Sequence, residues 1–140
     1  MANFLELLLA NNHDVKHLTI ATNKHPFAHS AVPTKVQQKV NTEATHINTD
    51  ISAFGAIRSL FKREAYIVSR FYSKVMENLV IDTLKTSDYD CVILESLFTT
   101  PYIDAIRAQF KGPVYLRAHN IEYKIWEDIK QESKNGVKKL

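Results

Sequence analysis

Glycine is scarce in this sequence, limited to Gly55, Gly112 and Gly136. Neither a G-x-x-x-x-G-K-[ST] loop nor a G-x-G-x-x-G fingerprint can be built from them, so the ordinary phosphate-cradling nucleotide sites are excluded. Cysteine is scarcer still. Cys91 stands alone, which rules out an intramolecular disulfide framework and a cysteine-based zinc cluster and fits a reducing compartment, the cytoplasm. No run approaches the roughly 20 apolar residues of a membrane span. The first twelve residues are apolar, but they carry Glu6, lack a basic leading region and offer no small-residue cleavage site, so they do not read as a secretion signal. A strong excess of one charge is also missing: 18 basic residues against 15 acidic leave a net +3, too little to argue for nucleic acid as a partner. The positive excess lies partly in Lys130, Lys134, Lys138 and Lys139. Such a run is usually a solvated helix face; the minor reading is peripheral contact with anionic lipid at the inner face of a membrane.

What is present suits a packed globular chain. With 45% hydrophobic and 24% charged residues over 140 positions, one domain is the default, able to bury about two-thirds of its unfolded surface. Ala2 to Ala10 combines strong helix formers with apolar residues almost all round, which predicts a helix buried against several neighbours. After the turn-like Asn11-Asn-His-Asp14, the β-branched run Val15 to Thr22 predicts a strand. Residues 24 to 39, interrupted by Pro26 and Pro33, read as a loop, and Val40 to Asn48 as a weaker strand. His25 and His29 are four apart, but Pro26 breaks any helix joining them, so they read as loop histidines and not as a metal pair.

A shorter helix is predicted over Ala53 to Phe61, and a long amphipathic one over Tyr66 to Leu84. In the latter, Ile67, Phe71, Val75 and Leu79, with Val68, Tyr72, Met76 and Val80 beside them, form a stripe repeating every four residues, a packing surface. Next comes a strand over Asp90 to Leu94, where Cys91 reads as a buried core thiol. Thr99-Thr-Pro101 then opens a helix, Gly112-Pro113 ends it, Val114 to Arg117 forms another strand, and Asn120 caps a last helix with Ile121, Ile125 and Ile129 on one face. Apolar strands alternating with helices imply an α/β fold, a Rossmann-like doubly wound and mainly parallel sheet covered on both faces.

In such sheets ligands lie beyond the carboxyl ends of the strands. The residues there are Glu95 and Ser96 after one strand, and Arg117, His119, Asn120 and Glu122 after the other. A carboxylate, an imidazole and an amide at neighbouring strand ends can hydrogen-bond sugar hydroxyls, and His119 can accept a proton near neutral pH. A structural reading stands beside this one: Asn120 as a helix cap, Glu122 complementing a helix dipole, Glu95 capping the helix that begins near Thr99.

Tyr89-Asp-Cys-Val-Ile-Leu-Glu95, Thr100-Pro-Tyr102 and, above all, Pro113-Val-Tyr-Leu-Arg-Ala-His-Asn-Ile-Glu-Tyr-Lys-Ile-Trp126 resemble the N-terminal, acceptor-side domain of bacterial family-4 (group 1) GT-B glycosyltransferases. Asn12-His-Asp-Val15 resembles that family's turn into its second strand, whereas residues 24 to 60 carry almost none of the likeness. The resemblance implies a retaining enzyme of two Rossmann-like halves, moving a sugar from a nucleotide-sugar to a saccharide or lipid-linked acceptor, as in surface-polysaccharide assembly. It implies no metal for the chemistry and no resident cofactor, the donor being held mainly by the other half. By carry-over His119 faces the cleft near the transferred sugar as the catalytic residue, with Asn120 and Glu122 shaping that loop; Glu95 and Arg117, from their place at the strand ends, complete the expected substrate-binding set.

Two features of the family pattern do not appear. Its first strand and glycine-rich loop precede the first helix, whereas this sequence starts within that helix, and nothing matches the donor-binding half. The expectation is therefore a partial domain, inactive alone, whose exposed sheet edges favour a homodimer. The alternative is a non-catalytic binding or interaction module, or a decayed gene fragment, that keeps the half-fold. A receiver domain shares the alternation but needs clustered acids, which Glu95 alone does not supply.

Overall fold

The computed structural model describes residues 2–28, 32–49 and 66–118. The predicted helix at 53–61 and the last helix from 121 lie outside them. Within them the chain alternates helices and parallel strands, as an α/β fold does.

Helix α1 (Ala2–Ala10) ends where the sequence turns polar. Asn12 takes the left-handed conformation (φ 59°), its N–H donates to Leu9 O, and the His13 N–H donates to Leu8 O. These two bonds satisfy the last carbonyls of the helix, and asparagine tolerates the required φ better than most residues with a Cβ. The all-round burial expected of α1 does not occur. Leu5 is buried but Leu7 is 58% exposed, because α1 meets its neighbours along one side: Leu5 packs with Val36 and Val40, flanked by Leu9, Val15 and Val32.

Strand β1 (Lys16–Ala21) and strand β2 (Asn41–His46) pair in parallel, Lys16 opposite Asn41 through Ala21 opposite His46. Parallel strands need a crossover, and the stretch expected to be loop supplies it as α2 (Thr34–Lys39). One and a half turns are too few for periodicity to reveal. What fixes them is Pro33 before the first turn and Val36, which is fully buried.

The single long helix predicted from Tyr66 is broken. Helix α3 (Tyr66–Ser69) stops, and α4 (Lys74–Thr86) restarts after Ser73, whose backbone is extended. Tyr102 holds the break: its hydroxyl donates to Phe71 O (2.7 Å) and accepts from the Ser73 N–H (3.0 Å). The interruption changes the helical phase, so Met76 and Val80 are buried while Val75 is 68% exposed.

Strand β3 (Val92–Glu95) follows, then a 3₁₀ helix (Leu97–Tyr102), α5 (Ile103–Gln109) and β4 (Val114–Arg117). β3 and β4 are parallel, Val92 opposite Val114 through Glu95 opposite Arg117. Cys91 falls just before β3 and is exposed, which corrects the expectation of a core thiol. The cap differs too. Ser96 Oγ accepts from the Phe98 N–H, while the Thr99 and Thr100 hydroxyls donate to the carbonyls of Ser96 and Leu97. β4 does not show the cover expected on both faces, since Tyr115 and Leu116 are exposed.

Among the described residues the strands form two separate parallel pairs, β1–β2 and β3–β4, not one continuous sheet. A shared apolar core spans them: Ile47, Met76, Val80, Leu94, Tyr102 and Ile106, with Leu18, Ile20 and Val92 packed against it. Burying each such side chain contributes roughly 1.5–3 kcal/mol.

Candidate functional site

A cavity of about 570 Å³ lies between the two pairs. Its walls include five successive residues of β1, Lys16 to Ile20, and five at β3, Cys91 to Glu95; Met76, Val80 and Leu84 of α4 and Ile106 of α5 add apolar surface. Some of its polar groups sit just past strand ends: Thr22, Lys24 and His25 beyond β1, Thr49 beyond β2, Ser96 and Thr99 beyond β3. Arg70 reaches in from the end of α3. A mostly apolar hollow with sparse, placed polar groups is the usual form of a ligand site.

Glu95 and Arg117 are brought together. They are register partners at the carboxyl ends of β3 and β4, about 4.8 Å apart as parallel neighbours, so their side chains meet: Arg117 Nη1 donates to Glu95 Oε1 at 2.9 Å. Glu95 lines the cavity. The guanidinium of Arg117 lies outside it, 4.2 Å from the centre of the Phe4 ring, a contact that orients the fork. Glu95 thus makes an ion pair across the sheet, and the helix cap expected of it falls to Ser96. The predicted site residues His119, Asn120 and Glu122 lie outside the described residues.

Ser96 turns the chain out of β3 at φ 82°, ψ 152°, a region that is essentially glycine's and costs a side-chain-bearing residue about 1–3 kcal/mol. Four bonds hold it there, the donation of the Thr99 hydroxyl to the Ser96 carbonyl among them. Its N–H donates to Arg117 O (2.9 Å), its carbonyl accepts from the Thr99 N–H, and its hydroxyl accepts from the Phe98 N–H. Strain of this kind marks a turn the surrounding structure enforces, here beside Glu95.

No family model, curated protein or solved structure matches this chain.

Three residues of the cavity wall carried no signal in the sequence. His17 lies opposite Thr42 in the β1–β2 ladder, its Nδ1 3.3 Å from the Thr42 hydroxyl. Its Nε2 is buried and has no partner among the described residues. Burial holds the imidazole below its ordinary pKa, opposed in part by the negative charge of Glu95, so the ring is neutral near pH 7. Arg70 donates to Thr49 O, and its Nε is buried without a partner among the described residues. Tyr102 is 2% exposed, and burial pushes its phenol up to about 12. A lone histidine in a strand, an arginine at a helix end and a tyrosine after a proline are commonplace; only the fold brings them to the wall of one cavity. Among the described residues no group of three histidine, cysteine or acidic side chains is placed to hold a metal, and no helix is long and apolar enough to cross a membrane.

Proposed function

We propose that this chain is the acceptor-side part of a retaining, GT-B-type glycosyltransferase, on a Rossmann-like sheet, with a nucleotide-sugar held mainly by a second lobe and a saccharide or lipid-linked acceptor received here. The observation that carries the reading is the Glu95–Arg117 pair at adjoining carboxyl ends of parallel strands, with Glu95 in the cavity wall. A carboxylate and a guanidinium held in register offer acceptor and donor atoms side by side, the pattern that vicinal sugar hydroxyls complement. Their partial neutralisation of one another suits a neutral saccharide better than an ion. The strained turn at Ser96 fixes where that pair points. His119, two residues beyond Arg117 in the sequence, takes the proton-handling role, and Asn120 and Glu122 complete the loop in this reading.

The test is equilibrium binding of labelled mono- and oligosaccharides to the chain, alongside a transfer assay with a panel of nucleotide-sugars. Saccharide binding that Arg117→Ala weakens, with no turnover by the chain alone, is the expected result. Turnover by this polypeptide alone, or nucleotide-sugar binding without saccharide binding, overturns the reading. A non-catalytic interaction module is the second reading, favoured by the two unjoined strand pairs; it predicts no saccharide binding and a stable complex with another chain.

A further inference from the structure

Two adjacent residues of helix α1 meet two different neighbours, because successive residues of an α-helix project about 100° apart. Leu5 is buried with Val36 and Val40, and Leu9, four residues on, packs against the same cluster. Together they dock α1 on the helix that crosses from β1 to β2. Phe4 takes no part in that cluster. Its ring lies 4.2 Å from Cζ of Arg117, the last residue of β4 in the other strand pair. Docking one side of α1 beside the β1–β2 pair therefore delivers an aromatic ring to the β3–β4 pair, next to Glu95 and Arg117.

Arg117 has little else to hold it. Its side chain is 44% exposed, and among the described residues its guanidinium makes one hydrogen bond, from Nη1 to Glu95 Oε1. A single ion pair orders a long, solvated side chain only weakly, since freezing its rotatable bonds offsets much of what the pair contributes. A ring against the guanidinium adds a second contact from another direction. The bond at one edge and the ring on one side together fix the plane of the fork. The remaining N–H donors, which meet no acceptor among the described residues, then point in a set direction.

We propose that Phe4 is a positioning residue of the saccharide site: by holding Arg117 against Glu95 it presets the donor edge that sugar hydroxyls meet, and so couples the docking of α1 to saccharide binding. This role rests on the saccharide reading of the Glu95–Arg117 pair and adds that the site is composite. A helix docked beside one strand pair sets the geometry of an ion pair held by the other. Linkage makes the coupling reciprocal: α1 in place favours the sugar, and the bound sugar favours α1 in place. Loss of an exposed cation–π contact changes an equilibrium constant by roughly two- to fivefold, which is the effect expected on affinity.

Phe4→Leu keeps an apolar side chain but removes the ring, and Phe4→Tyr keeps the ring. Two measurements on the 140-residue chain read the consequences. Without sugar, the Arg117 Nε–H resonance, assigned by its loss in Arg117→Lys, should be ring-current shifted in wild type and in Phe4→Tyr, and should lie near the position of free arginine in Phe4→Leu. With a panel of mono- and oligosaccharides, affinity should fall by the stated factor in Phe4→Leu and recover in Phe4→Tyr. The bound saccharide should also slow amide exchange across α1 in wild type but not in Phe4→Leu. An unshifted Arg117 resonance in wild type overturns the role whether or not any variant folds. So does equal affinity in Phe4→Leu, or a loss that Phe4→Tyr fails to restore. A merely structural contact would lower the urea midpoint of Phe4→Leu and leave the affinity of its folded fraction unchanged, which also counts against the role. Absence of saccharide binding by wild type defeats the saccharide reading and this role with it, whereas binding at Glu95 and Arg117 that ignores Phe4 defeats this role alone.

Discussion

Tyr102→Phe removes one oxygen atom and tests how the fold is held together around the cavity. The hydroxyl bridges the carbonyl of Phe71 (2.7 Å) and the N–H of Ser73 (3.0 Å) across the break between α3 and α4. Both backbone groups lose their partner in the variant; being half-buried, they recover part of it from water, so the expected loss at pH 7 is about 1–3 kcal/mol. A second signature separates this from a simple packing defect. Burial pushes the phenol from 10 up to about 12, so the unfolded chain releases its proton first. The stabilisation is complete below pH 10 and is lost as pH rises toward 12, at up to about 1.4 kcal/mol per pH unit. Discounted for solvent screening, the total comes to about 1–2 kcal/mol. Urea denaturation followed by circular dichroism at pH 7, 10 and 11.5 reads both effects. Wild type should be the more stable at pH 7, and its advantage over Tyr102→Phe should change across the alkaline range, since the variant lacks that titration. Equal stability at pH 7 with parallel alkaline loss would refute the bridging role.

Ser96→Gly should stabilise the chain by about 1 kcal/mol, because glycine adopts φ 82° without a Cβ penalty and the hydroxyl bond it forfeits is long at 3.4 Å; unchanged or lower stability in urea contradicts the strain. Val36→Ala should cost about 2 kcal/mol, since Val36 is fully buried between Leu5 and Val40, with β1–β2 amides exchanging faster; a loss below about 0.5 kcal/mol would mean that α2 does not hold α1 in place. For His17 burial lowers the folded pKa, so below 6.5 the unfolded chain takes up the proton first and stability falls with falling pH. His17→Gln should flatten that acid limb below pH 6.5, and an unchanged limb assigns it to other groups.

The legible parts of this chain were those whose cause is local. β1 is specified by β-branched residues after an asparagine turn, β4 by the apolar run after Gly112-Pro113, and the end of α1 by two asparagines, one of which tolerates a left-handed φ. The Glu95–Arg117 pair was foreseen as two residues at strand ends; their ion pair depends on the parallel register and could not be counted from spacing. What escaped the sequence depends on partners distant in the chain. The stripe from Tyr66 repeats well enough for one helix, yet Tyr102, some thirty residues later, holds it broken after Ser69. α2 is too short to show a period and exists because Val36 has a place to be buried. Cys91 looks like a core residue in its apolar run, but it precedes the strand and borders the gap between the pairs. His17 and Arg70 became visible as cavity residues only when β1 and β3 were seen to face one another.

Amide chemical-shift mapping tests most directly whether Glu95 and Arg117 bind saccharide as a pair. Isotope-labelled chain is titrated with a panel of mono- and oligosaccharides, and the same titration is repeated on Glu95→Gln. Saturable shifts concentrated at Glu95, Ser96 and Arg117 are expected with at least one saccharide, lost in the variant while its remaining spectrum is unchanged. Shifts absent from those residues throughout the panel, or equal in Glu95→Gln, would contradict saccharide binding by the pair.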